Sequence, residues 1–239
     1  MEADYTAAYA RLYREHWWWR VREQILLKKI RDILPSGAHA RILDVGCGAG
    51  LFFDALEQFG RVEGIESDRL AVEASGRWRD RIHLGSLDDG FQPGATFDLI
   101  LVLDVLEHVP DPDALLRRAA GLLKPTGRLL CTVPAFDWLW TSHDELNHHR
   151  KRYTANELQR AMRDAGLDVL ESRYLFQSLV LPKLFVRAKE AIVRPSSAVP
   201  RIPGLALNAT LQSWYRAECA IAGWLPFGSS VLAVARPDQ

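Results

Sequence analysis

The feature that most constrains the fold is a glycine-rich loop between a short apolar run and a segment with helical spacing. Residues 41–45 are mostly apolar, Gly46, Gly48 and Gly50 follow, and residues 51–56 have the spacing of a helix. Because glycine has no Cβ, glycines at alternate positions let the backbone approach a ligand closely. The pattern predicts a buried strand, a ligand-binding turn and a helix, in that order.

An acidic residue at a fixed distance from this loop indicates which kind of ligand it holds. Glu66 follows the next strand-like run, residues 61–65, about 20 residues after the middle of the loop. A carboxylate at that spacing is suited to accept hydrogen bonds from a ribose diol. The loop therefore predicts a nucleoside-cofactor site. The alternatives are a dinucleotide-binding oxidoreductase and a plain tight turn, although the spacing here is Gly-x-Gly-x-Gly rather than Gly-x-Gly-x-x-Gly.

Strand-like and helix-like runs alternate through the first part of the chain. The strand candidates are residues 41–45, 61–65, 82–84, 97–103 and 127–133, and the helix candidates are 51–59, 69–79 and 112–123. This alternation predicts an α/β fold with a doubly wound, mostly parallel sheet. Ligands on such sheets bind beyond the carboxyl ends of the strands, which is where the glycine loop falls.

The two ends of the chain depart from this rhythm. Residues 3–34 have helical periodicity up to the breaker Pro35-Ser36-Gly37. Residues 153–165 read as a helix that Thr154 and Glu157 begin as a capping box, followed by strands at 167–174 and 229–235. We therefore expect three parts: an N-terminal helical arm or lid (1–36), a cofactor-binding core (37–176 and 228–239), and a helical insertion that caps the acceptor site (177–227).

Composition excludes some functions. The 30 basic and 30 acidic side chains balance, so no net charge would attract nucleic acid. Three scattered cysteines predict a reducing compartment and no disulfide framework. The first residues do not read as a signal peptide, and no apolar run is long enough to cross a bilayer, so we expect a cytoplasmic protein.

The order of four motifs resembles the class I S-adenosylmethionine-dependent methyltransferases. The motifs lie at residues 43–50, 64–68, 97–109 and 122–128. The resemblance implies an enzyme with a Rossmann-like sheet of seven strands, the last antiparallel. It also implies S-adenosylmethionine as the cofactor and S-adenosylhomocysteine as the product.

Carried over position by position, the resemblance implies a set of cofactor contacts. The loop and the residue beneath it contribute Asp44, Gly46, Cys47, Gly48 and Gly50. The later motifs contribute Glu66 and Ser67 at the ribose, Ser86 and Leu87 at the adenine, and Leu103, Asp104 and His108 near the methionine end. Many relatives have an acid where this chain has Ser86, so the adenine amino group could be bound by Ser86 or Asp88.

Three adjacent tryptophans, Trp17 to Trp19, mark the N-terminal arm. Neighbours on a helix point about 100° apart, so the three rings cannot share one face. One interpretation is a tryptophan-rich seam against the core. The other is a lid in which Trp18 faces the cofactor and Arg22 or Arg20 pairs with its carboxylate. The arm also resembles one found in bacterial methyltransferases of glycan and lipid-linked sugar pathways.

The segment at residues 138–153 is dense in chemical groups. Its histidines, His143, His148 and His149, are the candidate catalytic bases, with His143 first. A neutral imidazole suits removal of a proton from an oxygen nucleophile. The alternative is a solvated, ion-paired loop, and Arg150 and Arg152 could also bind an anionic acceptor.

Asp104, Glu107 and His108 are the candidate metal ligands. An acid-x-x-Glu-His sequence at this position is similar to the ubiquinone-pathway O-methyltransferases, where the corresponding residues can hold a divalent cation. The same Glu-His pair occurs in relatives without metal, where it shapes the acceptor pocket. We therefore expect no metal and keep this set as the alternative.

The insertion alternates apolar bulk with Lys and Arg at residues 179–194. A core-facing helix is the preferred interpretation, and an interfacial helix on a membrane surface is the alternative. The sequence thus predicts a monomer or homodimer that methylates a small anionic or apolar acceptor. O-methylation of a sugar, a lipid-linked compound or a phenolic secondary metabolite is the expected reaction. N- or C-methylation and a non-catalytic cofactor-binding partner subunit remain the alternatives.

Overall fold

The computed structural model describes residues 3–34, 39–88, 90–193 and 200–238, with side chains from residue 9 onward. Seven strands form one sheet in the order β3-β2-β1-β4-β5-β7-β6. Strands β1 to β5 pair in parallel, and β7 is antiparallel to both β5 and β6. The strands are β1 Ala40–Val45, β2 Gly60–Glu66, β3 Ile82–Leu84, β4 Phe97–Leu103, β5 Leu123–Pro134, β6 Leu167–Leu175 and β7 Ser230–Pro237. The expected Rossmann-like sheet with an antiparallel last strand is confirmed.

Helices cover both faces of this sheet. They are α1 Ala3–Glu15, α2 Trp17–Ile33, α3 Phe53–Leu56, α4 Arg69–Glu73, α5 Pro112–Leu122, α6 Ser142–Leu146, α7 Ala155–Asp164, α8 Val180–Ile192 and α9 Leu205–Ile221. Successive strand residues point to opposite faces. Ile100 and Val102 of β4 therefore pack with α5 and α7, whereas Leu99 and Leu101 pack with α2, α3 and α9. The two clusters show that the sheet is doubly wound.

The helices after the glycine loop and after β2 are shorter than their periodicity predicts. Only Phe53–Leu56 forms α3, because tight turns such as Gly50 N–H to the Cys47 carbonyl (3.0 Å) use the preceding residues. The predicted helix at 69–79 is α4 followed by a 3₁₀ turn, Gly76–Arg81. Gly76 has φ +57°, which ends the α-helical path.

The arm is two helices rather than the single helix its periodicity predicts. His16 is extended and caps α2, where its Nδ1 accepts a hydrogen bond from the Trp18 N–H (3.2 Å). Asn208 of α9 bridges the break, accepting from the Trp17 N–H (2.9 Å) and donating to the Glu15 carbonyl (2.8 Å). The predicted breaker at 35–37 and the boundary between arm and core lie outside the described residues.

The insertion contains α8 and α9, which pack very differently. Trp17 stacks on Tyr215 of α9 at 4.6 Å between ring centroids, so α9 joins the arm to the core. Within α8, only Val180 is buried. The preferred prediction, that the apolar side of the helix at residues 179–194 faces the core, is therefore wrong for α8. Among the described residues, no helix combines the length and the apolar character that crossing a membrane requires.

Candidate active site

The glycine loop turns tightly at the carboxyl end of β1. Gly46 and Gly50 have φ +70° and +69°, and the Gly46 N–H donates to the Ile65 carbonyl of β2 (2.8 Å). A Cβ at Gly46 would lie 2.6 Å from Val105 Cγ2. Positive φ and this contact both favour glycine, and they fix the loop against β2 and the segment after β4.

Glu66 lies beside the loop at the end of β2. One carboxylate oxygen accepts from the Gly48 N–H (2.8 Å), and the other accepts from the Asp68 N–H (2.8 Å) and the Ser67 hydroxyl (3.4 Å). These bonds orient the carboxylate, and its oxygens have lone pairs for further donors. The structure thus brings together the loop and the residue expected at the ribose.

Asp44 lies at the end of β1 beneath the loop, and Cys47 is part of the loop. Burial raises the pKa of Asp44 to about 7, although Arg22 acts in the opposite direction. Burial also raises the pKa of the Cys47 thiol, which favours its uncharged form. A Cβ at Gly64 would be 2.5 Å from the Cys47 sulfur, so this thiol packs closely against β2.

The arm reaches the same edge of the sheet through Arg22. Its Nη2 lies 2.7 Å from Asp104 Oδ2 and donates to the Thr132 hydroxyl (3.1 Å), which itself donates to Asp104 Oδ1 (3.0 Å). The Trp18 ring centroid is 5.7 Å from the Arg22 guanidinium carbon. The sequence predicts that Trp18, Arg22 and Asp104 lie near the cofactor, but it does not predict that Asp104 pairs with Arg22. That Arg22 binds the cofactor carboxylate remains a prediction.

The residues expected at the adenine come directly after β3. Those expected at the methionine end lie at the last residue of β4 and just after it. Ser86 is exposed and Leu87 is buried, while Leu103 is partly buried. The Gly85 N–H donates to the Glu66 carbonyl (2.8 Å), which holds this turn next to Glu66. Apart from Trp18 and Arg22 of α2, the cofactor candidates therefore lie at or just after the carboxyl ends of β1 to β4, as the topology predicts.

A buried ion pair organises residues 138–153, which we call the histidine segment. Asp144 is fully buried at N3 of the α6 capping box, and Arg152, itself 1% exposed, donates to its two oxygens at 2.9 and 2.8 Å. Burial alone would raise the pKa of Asp144, but hydrogen bonds from His149 and Arg152 hold that pKa well below its ordinary value. Arg152 also donates to the Ala135 carbonyl (3.0 Å), which ties the segment to the end of β5.

The three candidate histidines have different surroundings. His149 is half-buried, with Nδ1 2.8 Å from Asp144 Oδ1 and its ring 4.7 Å from the His108 ring. His143 and His148 are exposed. Although part of the His143 side chain is exposed, the protein packed around it partly desolvates the imidazole, and this desolvation, followed by the Lys183 ammonium, lowers its pKa to about 4. The structure therefore separates His149, held by a buried carboxylate, from the other two.

Glu107 is the most unusual buried group. Neither of its carboxylate oxygens has a hydrogen-bond partner in the part of the chain that the structure describes. Burial, and next the nearby Asp104, raise its pKa well above the ordinary value. One donor atom each from Glu107, His108 and His149 lie within 4.8 Å of one another, a donor set that fits a divalent cation. Compared with the alternative metal set that the sequence offers, His149 takes the place of Asp104.

Two features of the site were missed by sequence reasoning. The sequence does not predict the buried Asp144–Arg152 pair, although Thr141 followed by Asp144 has capping-box spacing. Lys183 was read only as one cation of an amphipathic stretch. Burial lowers its pKa to about 8, and its ammonium is electrostatically coupled to Arg152, Asp144 and Asp104. No local signal in the sequence indicates this.

The doubly wound sheet with an antiparallel β7 and the glycine loop beside Glu66 define the class I S-adenosylmethionine-dependent methyltransferases. The methyltransferase domain family matches residues 17–172, and the chain belongs to this family. The match includes α2, the glycine loop and the histidine segment. The cofactor of this class is S-adenosylmethionine.

Curated relatives are ubiquinone biosynthesis O-methyltransferases. That of Cereibacter sphaeroides is 30% identical over 177 residues, 64% of this chain and 71% of the relative. That of Bradyrhizobium diazoefficiens is 33% identical over 104 residues, 41% of each chain, so this alignment spans about two fifths of the relative's length.

Solved structures share the fold across nearly the whole chain. One is a complex of the Haloferax volcanii Trm112 methyltransferase activator with a methyltransferase (TM-score 0.63, 22% identity, 99% of this chain and 96% of that one). Another is a Haemonchus contortus phosphoethanolamine N-methyltransferase in complex with S-adenosylmethionine (TM-score 0.58, 20% identity, 89% of this chain and 52% of that one).

Proposed function

We propose that the protein transfers the methyl group of S-adenosylmethionine to a hydroxyl oxygen of a small-molecule acceptor, with His149 as the general base. The observation that carries the proposal is the Asp144–His149 pair (2.8 Å) at the sheet edge that also holds the glycine loop. A carboxylate that accepts from Nδ1–H leaves Nε2 as a proton acceptor and fixes the ring orientation.

The residues of the site have separate roles in this reaction. Glu66 binds the ribose hydroxyls, and Asp44 and Arg22 act on the amino and carboxylate groups of the methionine portion. When bound, S-adenosylmethionine supplies a methyl group on a positively charged sulfur, which is a good leaving group. His149 takes the hydroxyl proton as the acceptor oxygen forms its bond to the methyl carbon and the carbon–sulfur bond breaks. Positioning of the two reactants supplies much of the acceleration.

This proposal changes the order of the candidate bases. His143 came first from the sequence, but it is exposed, and the low pKa of about 4 makes it a weak base. His149 is oriented by Asp144, and Arg152 holds Asp144 in place. Residues 177–227 act as a cap on the acceptor side, since Glu190 of α8 accepts from both the Ser142 N–H (3.0 Å) and its hydroxyl (2.6 Å).

The acceptor class is the finer part of the proposal. A phenolic acceptor is supported by the names of the curated relatives, and a sugar or lipid-linked acceptor by the resemblance of the arm. Lys183 supplies a positive charge for an anionic group on the acceptor. The second candidate function is that of a subunit that binds the cofactor but shows no turnover by itself, and the likeness in fold to a methyltransferase solved with an activator protein is consistent with such dependence on a partner.

Two measurements test the proposal. Calorimetry with S-adenosylmethionine should show binding that Glu66→Ala weakens at least about tenfold, equivalent to about 1.4 kcal/mol. S-adenosylhomocysteine release against a panel of phenols and sugars should reveal turnover. His149→Gln should lower that turnover about 100-fold or more with cofactor affinity unchanged, whereas His143→Gln should have a small effect.

The outcomes separate the alternatives. Cofactor binding without turnover on any acceptor would favour the subunit role. A wild-type rate in His149→Gln would contradict the base assignment. Activity that a chelator abolishes and a divalent cation restores would instead make Glu107, His108 and His149 metal ligands.

A further inference from the structure

Helix α8 turns Arg187 and Glu190 toward the protein, whereas most of its large apolar side chains are exposed to solvent. On its inner face Glu190 accepts from the Ser142 N–H and hydroxyl, and Arg187 donates to the Trp138 carbonyl (2.6 Å). These side chains border a cavity of about 310 Å³ between α8 and the histidine segment. A helix on a globular protein ordinarily has the opposite orientation.

The outer face of α8 is a continuous apolar stripe. Its members share one side of the helix at spacings of three, four, seven and eleven residues: Leu181, Leu184, Phe185, Ala188 and Ile192. The three largest exposures are 72% for Leu181, 74% for Phe185 and 86% for Ile192. Such a stripe costs free energy in water, so its exposure indicates a surface that contacts an apolar phase.

Helix α9 continues this surface. Leu207, Trp214 and Ile221 recur every seven residues and are 57%, 59% and 75% exposed. The Trp214 indole N–H donates to the Ser178 hydroxyl (3.0 Å), which places the α9 stripe beside the start of α8. Trp224, just after α9, is 80% exposed. Exposed tryptophans beside aliphatic side chains are typical of the membrane–water interface.

The charge of residues 177–227 indicates which kind of partner binds this apolar surface. The described residues of 177–227 contain five cations and two acids, a net charge of +3. Of the cations, Lys183 and Arg187 lie on the inner face of α8 and Arg216 lies about 180° around α9 from Leu207, so Lys189 and Arg201 remain beside the apolar surface. Both acids are engaged within the protein, Glu190 at Ser142 and Glu218 in a bond from the Ser178 N–H (2.9 Å). A two-fold contact with a second copy would bring these like charges together, whereas an anionic surface would attract them.

We propose that the outer faces of α8 and α9 bind the surface of an anionic phospholipid bilayer. The apolar stripes enter the interfacial region, and Lys189 and Arg201 contact the phosphates, in the manner of an interfacial amphipathic segment. Since the inner face of α8 lines the cavity beside the histidine segment, bilayer contact places that cavity next to the lipid. The proposal does not depend on the methylation chemistry.

Sedimentation of the full chain with vesicles tests this surface. The vesicles contain phosphatidylcholine alone or with about 30% phosphatidylglycerol, at low and high salt. The test variant is Leu181→Gln/Phe185→Gln, whose side chains are mostly exposed. The matched control is Leu70→Gln/Leu170→Gln, which changes two apolar side chains of 43% and 46% exposure on α4 and β6.

We expect the wild-type chain and the control to bind anionic vesicles and to be released by salt. The α8 variant should lose at least about tenfold in partitioning, because two interfacial apolar side chains are removed. Absence of wild-type binding, or equal losses in the two variants, would overturn the proposal. A dimer in sedimentation equilibrium that the α8 variant dissociates, together with no vesicle binding, would assign the surface to a second copy instead.

Discussion

Gly48 offers a way to separate ligand contact from backbone strain. It has φ +55°, and a Cβ at this position would meet no described protein atom within 4 Å. Gly76, at the start of the 3₁₀ turn, has φ +57° and is equally open. An L-residue in this region costs about 1–2 kcal/mol, so Gly48→Ala and Gly76→Ala should lower the free energy of unfolding by similar amounts.

The two variants should differ in cofactor binding. The Gly48 N–H is fixed by Glu66 (2.8 Å), so a new methyl group at this position would project where the cofactor lies against the loop. We expect Gly48→Ala to weaken S-adenosylmethionine binding at least about tenfold, or about 1.4 kcal/mol, and Gly76→Ala to leave it unchanged. Calorimetry measures affinity, and urea unfolding without ligand measures stability. Equal affinities in both variants would refute the placement of the cofactor on this loop.

Two further predictions concern Lys183 and Asn208. Burial lowers the pKa of Lys183 from 10.5 to about 8, so its charge destabilises the native state below pH 8, and this penalty fades as pH rises toward 10.5. Lys183→Met should therefore raise the free energy of unfolding by about 1–2 kcal/mol at pH 7, after allowance for solvent screening. The gain at pH 10 should be smaller. Equal gains at the two pH values would contradict the lowered pKa. Asn208→Leu leaves the Trp17 N–H and the Glu15 carbonyl unpaired, and urea unfolding should show a loss of about 2–3 kcal/mol, whereas a loss near zero would mean that the helix break does not depend on this bridge.

The core of the fold could be predicted because its signals are local. The alternation of strand-like and helix-like runs and the glycine spacing each depend on a few neighbouring residues. The start of β5 shows where this fails. The sequence predicts this strand at residues 127–133, yet β5 begins at Leu123, and its pairing shifts register between Phe97 and Leu99 of β4. A strand with this irregularity is stabilised by its neighbour, which a single segment does not reveal.

In the candidate site, too, the features that depend on nearby residues could be predicted, and those that depend on distant residues could not. The loop and Glu66 were predicted because their function lies in the backbone and in one fixed spacing. Arg22 and Asp104 are 82 positions apart, so their pairing depends on how the arm packs. For α8, periodicity predicted an apolar stripe but not the side to which it faces. That side is set by Glu190 and Ser142, which meet only in the folded chain.

These contacts also distinguish the two interpretations of the arm. Trp17 is buried on Tyr215, and Asn208 holds the break between α1 and α2, so the arm packs as a fixed seam rather than a detached lid. Arg22 still reaches Asp104 and Thr132 at the ends of β4 and β5, where its described contacts use only Nη2. A guanidinium carries five N–H donors, so a cofactor carboxylate could bind Nε or Nη1 without displacing Asp104. A tryptophan seam and a role for Arg22 at the cofactor are therefore compatible, because the seam positions the guanidinium that the ligand would share with Asp104.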